Sequence, residues 1–418
     1  MLTSGQTVPL AIEKPAAGGR MIARVEGQVV LVADAIPGER VQARVERIGK
    51  GVVYAQTMSV EERSADRRDP FPDPLCGGCL YSHIAYPRQL ELKAQVIADA
   101  FKRIGHLELP GAVAVAASPE QGYRMRARFH VRGHRLGFFR ENSHEVCDVR
   151  ATRQLLPATA DLLDRLMAAM RSLGLDSVRE IELSENVEAS ERAVFLDSGL
   201  PIGDAALSRM ADTGGLTGLG SAWGAFGSPH VSDALPIGGE RITLRRHVQA
   251  FFQGNRFLLG GLVSHVAGQL PEKGSVLDLY AGVGLFSIAA AVARRASVVA
   301  VEGDLFAADD LQANAAAAIG AVTTLRAPVE SIGAGLSAAG RRFDVVIVDP
   351  PRTGLSREAL DNALRVRAPR LIYVSCDVAT LARDARRIVD DGYVIGRADA
   401  FDLFPNTPHV ETVVVFQR

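Results

Sequence analysis

Four short, nearly unbroken apolar runs, at 275–279, 297–301, 343–348 and 370–374, are separated by segments of helical, often Ala-rich character. A strand apolar on both sides needs cover on both faces, and the intervening helices supply it. This pattern predicts a parallel α/β sheet. A fifth apolar run, 412–416, closes the chain. Sheets of this kind bind ligands beyond the carboxyl ends of their strands. The residues directly after each run are therefore the first candidates for a site.

The rest of the chain reads differently. Residues 1–60 hold short strand patterns broken at Glu26-Gly27, Pro37-Gly38 and Gly49-Lys50-Gly51, as in a small barrel of the oligonucleotide-binding type. A charged, Pro-rich stretch, 61–74, reads as a linker. Residues 75–250 read as a central α+β domain, with a helix near 87–103 and an antiparallel sheet flanked by helices. Residues 251–418 form the α/β domain. With 418 residues, such a three-part division is expected.

Apolar residues make up 47% and charged residues 23%, which excludes a disordered chain. No apolar stretch is long enough to span a bilayer and none resembles a secretory leader, so a cytoplasmic protein with no membrane partner is expected. A net charge of −1 gives no global attraction to nucleic acid. Any RNA partner needs a local basic surface. Arg124, Arg126 and Arg128 alternate with apolar residues, so on a strand they would share one face and could meet phosphates. The plainer reading is a solvated strand face. A monomer is the default expectation.

The chemistry gathers at the strand ends. Asp278-Leu-Tyr-Ala-Gly-Val-Gly284 follows the first run and opens a helix, where Asp278, Gly282 and Gly284 would border a ligand. Glu302 ends the second run, where a carboxylate can accept from a ribose diol. No G-x-G-x-x-G phosphate cradle is present, which favours S-adenosylmethionine over a dinucleotide. Asp349-Pro-Pro-Arg352 ends the third run with a stiffened backbone. Cys376 ends the fourth, ahead of a helical pattern whose N-terminus would favour a thiolate. Its plainer reading is a small buried hydrophobe.

Taken in order, Phe251-Phe-Gln-Gly-Asn255, Asp278-Leu-Tyr-Ala-Gly-Val-Gly284, Asp349-Pro-Pro-Arg-Thr-Gly-Leu355, Val374-Ser-Cys-Asp377 and Phe404-Pro-Asn-Thr-Pro-His-Val-Glu411 resemble the RNA 5-methyluridine methyltransferase family. The resemblance extends to a TRAM-like N-terminal barrel. Two positions depart from it: Asp377-Val378 stands where Asn-Pro is usual, and Ala281 where a Cys is usual. The resemblance implies a class I (Rossmann-like) methyltransferase domain and S-adenosylmethionine held by Gln253, Tyr280, Glu302 and Asp349. It further implies methylation of uracil C5 in RNA, ribosomal RNA being favoured over transfer RNA. Cys376 would attack C6 and Glu411 would remove the C5 proton. A catalytically silent RNA-binding protein is the rival of another class.

Three other cysteines, Cys76, Cys79 and Cys147, stand apart from Cys376. In one branch of the family four such cysteines ligate a 4Fe-4S cluster, and here Pro70 stands at the first position. The resemblance therefore implies a three-cysteine iron–sulfur site, completed by a carboxylate such as Asp69 or Asp73. Zinc, or no metal, are its alternatives.

Overall fold

The computed structural model describes residues 2–141, 143–318, 321–332 and 341–418. Six N-terminal strands pair in the order Thr7–Ala11, Arg40–Gly49, Val52–Glu62, Gln28–Ala33, Met21–Val25 and Lys14–Pro15. Alternate residues such as Val8, Leu10, Val30, Val41 and Val53 point into one apolar core. Glu26 and Gly27 both adopt positive φ (48° and 80°), as the tight turn between Met21–Val25 and Gln28–Ala33 requires. The expected barrel is not closed by strand pairing. At Ile12 and Glu13 the chain crosses between the two edge strands, and their N–H groups donate to Glu39 O and Ile22 O rather than to a ladder across the gap.

A second six-stranded sheet runs Gly224–Gly227, Gly218–Ser221, Arg192–Ser198, Val178–Glu185, Arg126–Arg132 and Arg135–Gly137. It is antiparallel except where Arg192–Ser198 and Gly218–Ser221 run parallel. Helices Pro157–Ser172 and Asp204–Ala211 cover its apolar face, where Phe129, Ile181 and Leu183 meet Leu163, Leu166 and Met210. The hairpin of His230–Ile237 and Glu240–His247 stands apart from this sheet. Its Leu235, Ile242 and Leu244 pack into the core of the C-terminal sheet.

That sheet has eight strands, ordered Val322–Arg326, Ser297–Glu302, Ser275–Leu279, Val345–Val348, Arg370–Ser375, Glu411–Gln417, Val394–Phe401 and Ala114–Ala116. The first five are parallel, as expected, but Glu411–Gln417 is antiparallel to both its neighbours. Ala114–Ala116, far upstream in sequence, adds to the outer edge. Each face carries its own apolar core, one around Leu262, Phe286 and Ile288, the other around Ile97, Phe101, Leu381 and Ile388. In the helix Val378–Asp390, Leu381, Ala385 and Ile388 lie on one side at helical spacing. Burying a Leu or Ile of this kind contributes roughly 1.5–3 kcal/mol.

The helix Tyr86–Ala100 ties the parts together: its Leu92 enters the N-terminal core while Val96 and Ile97 enter that of the C-terminal sheet. No described helix is long and apolar enough to cross a membrane.

Candidate active site

The carboxyl ends of the parallel strands border a cavity of about 470 Å³. On one side the turn after Ser275–Leu279 supplies Tyr280, Ala281 and Gly282. Tyr280, Gly282 and Gly284 take positive φ (60°, 56° and 95°), folding the turn back before the helix Leu285–Arg294. A Cβ on Gly284 would lie 2.8 Å from Leu311 Cδ1, so the backbone here comes closer to the next helix than a side chain allows. Glu302 spans the neighbouring turn, accepting from the Gly282 N–H and the Asp304 N–H, each at 2.7 Å. Beneath lies Asp278, fully buried, accepting from Ser287 Oγ at 2.5 Å through one oxygen. Its other oxygen has no partner. Burial holds the Asp278 carboxyl up at about 7, with Ser287 opposing the shift. Burial, then the Asp278 carboxyl, raise Asp349 likewise to about 7, and Gln253 Nε2 donates to it at 3.3 Å.

The other side of the cavity holds Cys376, Arg352, Phe404 and Glu411. Ser375 pairs with Thr412 across the antiparallel ladder. Cys376 and Glu411 lie one residue beyond this pair on either chain, both line the cavity, and the Glu411 carboxyl acts on the thiol. Burial pushes the Cys376 thiol up to about 12. Glu411 adds to the shift, while the nearby Arg352 guanidinium opposes it. Burial and then Asp349 raise Glu411 well above the usual carboxylate range. The helix after Cys376 does not stabilise a thiolate as expected. The Asp377 carboxylate caps it, taking the Ala379 and Thr380 N–H groups that would otherwise face an anion.

The cavity thus gathers Cys376, Glu411, Gln253, Tyr280, Gly282, Glu302 and Asp349, while Asp278 and Gly284 support its walls. Sequence reading named Arg352 only as the last residue of Asp349-Pro-Pro-Arg352. It is also the guanidinium facing both Cys376 and Glu411, and its place two residues after Pro350 was the available signal. Phe404, read before only as part of a motif, forms one wall.

The three arginines are divided. Arg124 precedes the strand and turns inward, donating to Gln154 Oε1 at 2.8 Å with its guanidinium 4.9 Å from the Phe138 ring. Arg126 lines the cavity and donates to Ala250 O at 3.0 Å. Arg128 pairs with Glu182 at 2.7 Å, and Glu182 also lies 3.5 Å from Arg126. Carboxylates from the adjacent strand therefore offset this basic run.

Cys76, Cys79 and Cys147 converge in a buried cluster with Phe71 and Phe138. Cys76 and Cys147 are joined as a disulfide, their Cα atoms 5.7 Å apart, and the Cys79 Sγ donates to Asp73 O at 3.2 Å. Asp73, weighed above as a fourth ligand, is engaged by Arg140 Nε at 2.8 Å. As joined here, only Cys79 of the three keeps a free thiol, and the cluster that the resemblance implies is not shown among the described residues.

Sheet order and cavity place the C-terminal part in the class I, Rossmann-like methyltransferase fold. A TRAM domain model matches residues 2–57, and a tRNA (Uracil-5-)-methyltransferase model matches residues 225–418. The 23S rRNA (uracil(1939)-C(5))-methyltransferase RlmD of Halomonas elongata is 34% identical, over 98% of this chain and 89% of the relative. RlmD of Pseudomonas entomophila is 32% identical, over 99% and 94% respectively. Among solved structures, the tRNA (uracil-54, C5)-methyltransferase of Pyrococcus abyssi, in complex with S-adenosyl-L-homocysteine, shares the fold with a TM-score of 0.78. That match has 23% identity and covers 97% of this chain and 99% of that one. The chain belongs to the RNA (uracil-5-)-methyltransferase family.

Proposed function

We propose that this protein methylates C5 of a uridine in RNA through a covalent Cys376–C6 adduct, with 23S ribosomal RNA as substrate. The observation that carries the reading is that Cys376 and Glu411 line one cavity together with Glu302 and Gly282. Ribosomal RNA is favoured because relatives of that stated specificity match over almost the whole chain.

The residues fit S-adenosylmethionine. Glu302 is set at a strand end for a ribose diol, Asp278 keeps a buried oxygen without a partner, and Gly282 leaves open space where a side chain would stand. Gln253, Tyr280 and Asp349 complete its walls. When bound, the cofactor supplies an electrophilic methyl group.

Uracil C5 is a weak nucleophile. Addition of the Cys376 thiolate to C6 places an electron pair on C5, the state in which that carbon can be alkylated. Glu411 then takes the C5 proton, the C5–C6 double bond re-forms and the thiolate leaves. A carboxylate raised above its ordinary range is a stronger base for that step. Arg352 is placed to stabilise the thiolate before attack and after its release. A paired uracil cannot present C6 to a side chain, so the target is unpaired or flipped out. Arg126, at the cavity, and Arg128 and Arg124, further along the same segment, are the RNA-contact candidates.

The test is incubation with labelled S-adenosylmethionine and unmodified ribosomal or transfer RNA, followed by nucleoside mass spectrometry, with Cys376→Ala in parallel. 5-Methyluridine in 23S RNA, made only by the unmutated protein, is expected. Label in another base, or an active Cys376→Ala, would refute the reading.

A further inference from the structure

Residues 402–410 join Val394–Phe401 to Glu411–Gln417 and carry Phe404 to the cavity wall. Loop backbone buried in a protein must find its partners outside regular structure. Four successive carbonyls here each find one. Asn255 Nδ2 donates to Leu403 O (3.1 Å), Lys93 Nζ to Phe404 O (3.2 Å), the Tyr123 hydroxyl to Pro405 O (3.4 Å), and the Tyr81 N–H to Asn406 O (2.8 Å). The Gln89 side chain clamps Asn406 from both sides, donating to its Oδ1 and accepting from its N–H, each at 2.9 Å. Arg68 donates to the same Oδ1 at 2.7 Å. Apart from Asn255, every one of these donors lies within residues 68–123, far from the loop in sequence.

Lys93 is the least expected member. It is 1% exposed, and its ammonium meets Asp402 Oδ1 at 2.5 Å, Asp402 being fully buried. A buried ion pair of this kind is often no more stabilising than apolar side chains of the same volume. What it adds is direction. One ammonium holds the carboxylate that begins the loop and the carbonyl of the residue that faces the cavity. Helix Tyr86–Ala100, which carries Lys93, is itself fixed against both apolar cores.

We propose that Lys93, together with Tyr123, is a positioning residue for methyl transfer: the pair fixes loop 402–410 so that Phe404 and Glu411 meet the cavity opposite Cys376. The inference rests on the reading of that cavity as the methylation site. It makes the catalytic wall a joint product of the C-terminal sheet and a segment more than 250 residues upstream in the chain.

The deciding variant is Lys93→Met/Asp402→Asn, which leaves no unpaired buried charge but removes the ammonium from Phe404 O. Tyr123→Phe is the second, losing one hydroxyl and no packing. For each, the thermal midpoint, the Kd for S-adenosylmethionine, and kcat and KM on a ribosomal RNA fragment are measured. The expected result is an unchanged midpoint and cofactor Kd, with kcat lower by roughly tenfold or more for the double variant, as misplacement of a reacting group produces. Tyr123→Phe is expected to change kcat in the same direction by less. Folded double variant with undiminished kcat overturns the proposal. Should the double variant not fold, Tyr123→Phe decides: reduced kcat at constant Kd supports the proposal and unchanged kcat overturns it. An unmutated protein that forms no 5-methyluridine refutes the proposed function itself, a separate outcome from an active enzyme indifferent to these variants.

Discussion

Arg352→Met is the perturbation that tests the electrostatics of the nucleophile most directly. The thiol is pushed up by burial and by Glu411, and Arg352 is the largest influence in the other direction. A full positive charge roughly 4 Å from a thiolate is worth about 4 kcal/mol at the effective dielectric of a protein surface. Arg352 as a residue is exposed, so water and salt screen most of this. About 1 kcal/mol is left, in the upper range of exposed ion pairs. Removing the cation disfavours the thiolate, so the thiol pKa rises and the thiolate fraction at neutral pH falls about fivefold. The assay is the rate of Cys376 alkylation by iodoacetamide in the RNA-free enzyme, read by peptide mass spectrometry across pH. Cys79, buried and hydrogen-bonded, serves as the unreactive internal control. The variant should alkylate about fivefold more slowly at low salt, with its pH profile displaced upward. The difference should shrink at high salt. Alkylation as fast as in the unmutated protein, or faster, would refute the assignment of Arg352.

Glu411→Gln should leave the addition step intact and block proton removal. Turnover should fall by a hundredfold or more, while a protein–RNA adduct resistant to denaturation accumulates with cofactor present. Normal turnover without adduct would exclude Glu411 as the base. Gly284→Ala places a Cβ at φ 95° and 2.8 Å from Leu311 Cδ1. It should cost roughly 1–2 kcal/mol in thermal or denaturant unfolding and weaken cofactor binding, and an unaltered unfolding curve would contradict the geometry of this turn. Protein purified and denatured without reductant should show two alkylatable thiols, Cys79 and Cys376, and four after reduction, with no bound iron. Near-stoichiometric iron with visible charge-transfer absorbance would show instead that Cys76, Cys79 and Cys147 hold a cluster.

The strand ends were legible because their signal is local. An apolar run followed by Asp377 and a helical pattern places Cys376 without knowledge of any other segment. The same locality hid the rest. Spacing by two put Arg126 and Arg128 on one face, but not the Glu180 and Glu182 that oppose them, since these come from a strand some fifty residues away. The thiolate expectation failed for a reason visible only in side-chain geometry: the Asp377 carboxylate occupies the helix N-terminus that Cys376 was expected to use. Ala114–Ala116, Ala-Val-Ala, is too short for an alternation to mark it as a strand, and its pairing partner at the sheet edge lies far along the chain.

The position of Glu411 shows why the last strand runs against the others. Parallel strands present their carboxyl ends on a single edge, and Cys376, Asp349 and Glu302 all sit there because each ends or follows such a strand. A residue that begins a strand reaches that edge only if its strand is reversed. Glu411 begins Glu411–Gln417, and the antiparallel insertion beside Arg370–Ser375 brings it to the same edge, one register step beyond Thr412. The preceding loop must then arrive at the rim of the cavity, not at the opposite edge of the sheet. Two lining residues, Glu411 and Phe404, are thereby delivered by one connection. Reversing that strand exposes no extra edge, because Val394–Phe401 and Ala114–Ala116 pair beyond it. The proposed nucleophile and base therefore reach one edge through a single topological choice, and the loop that comes with it is held by Lys93, Gln89 and Tyr123.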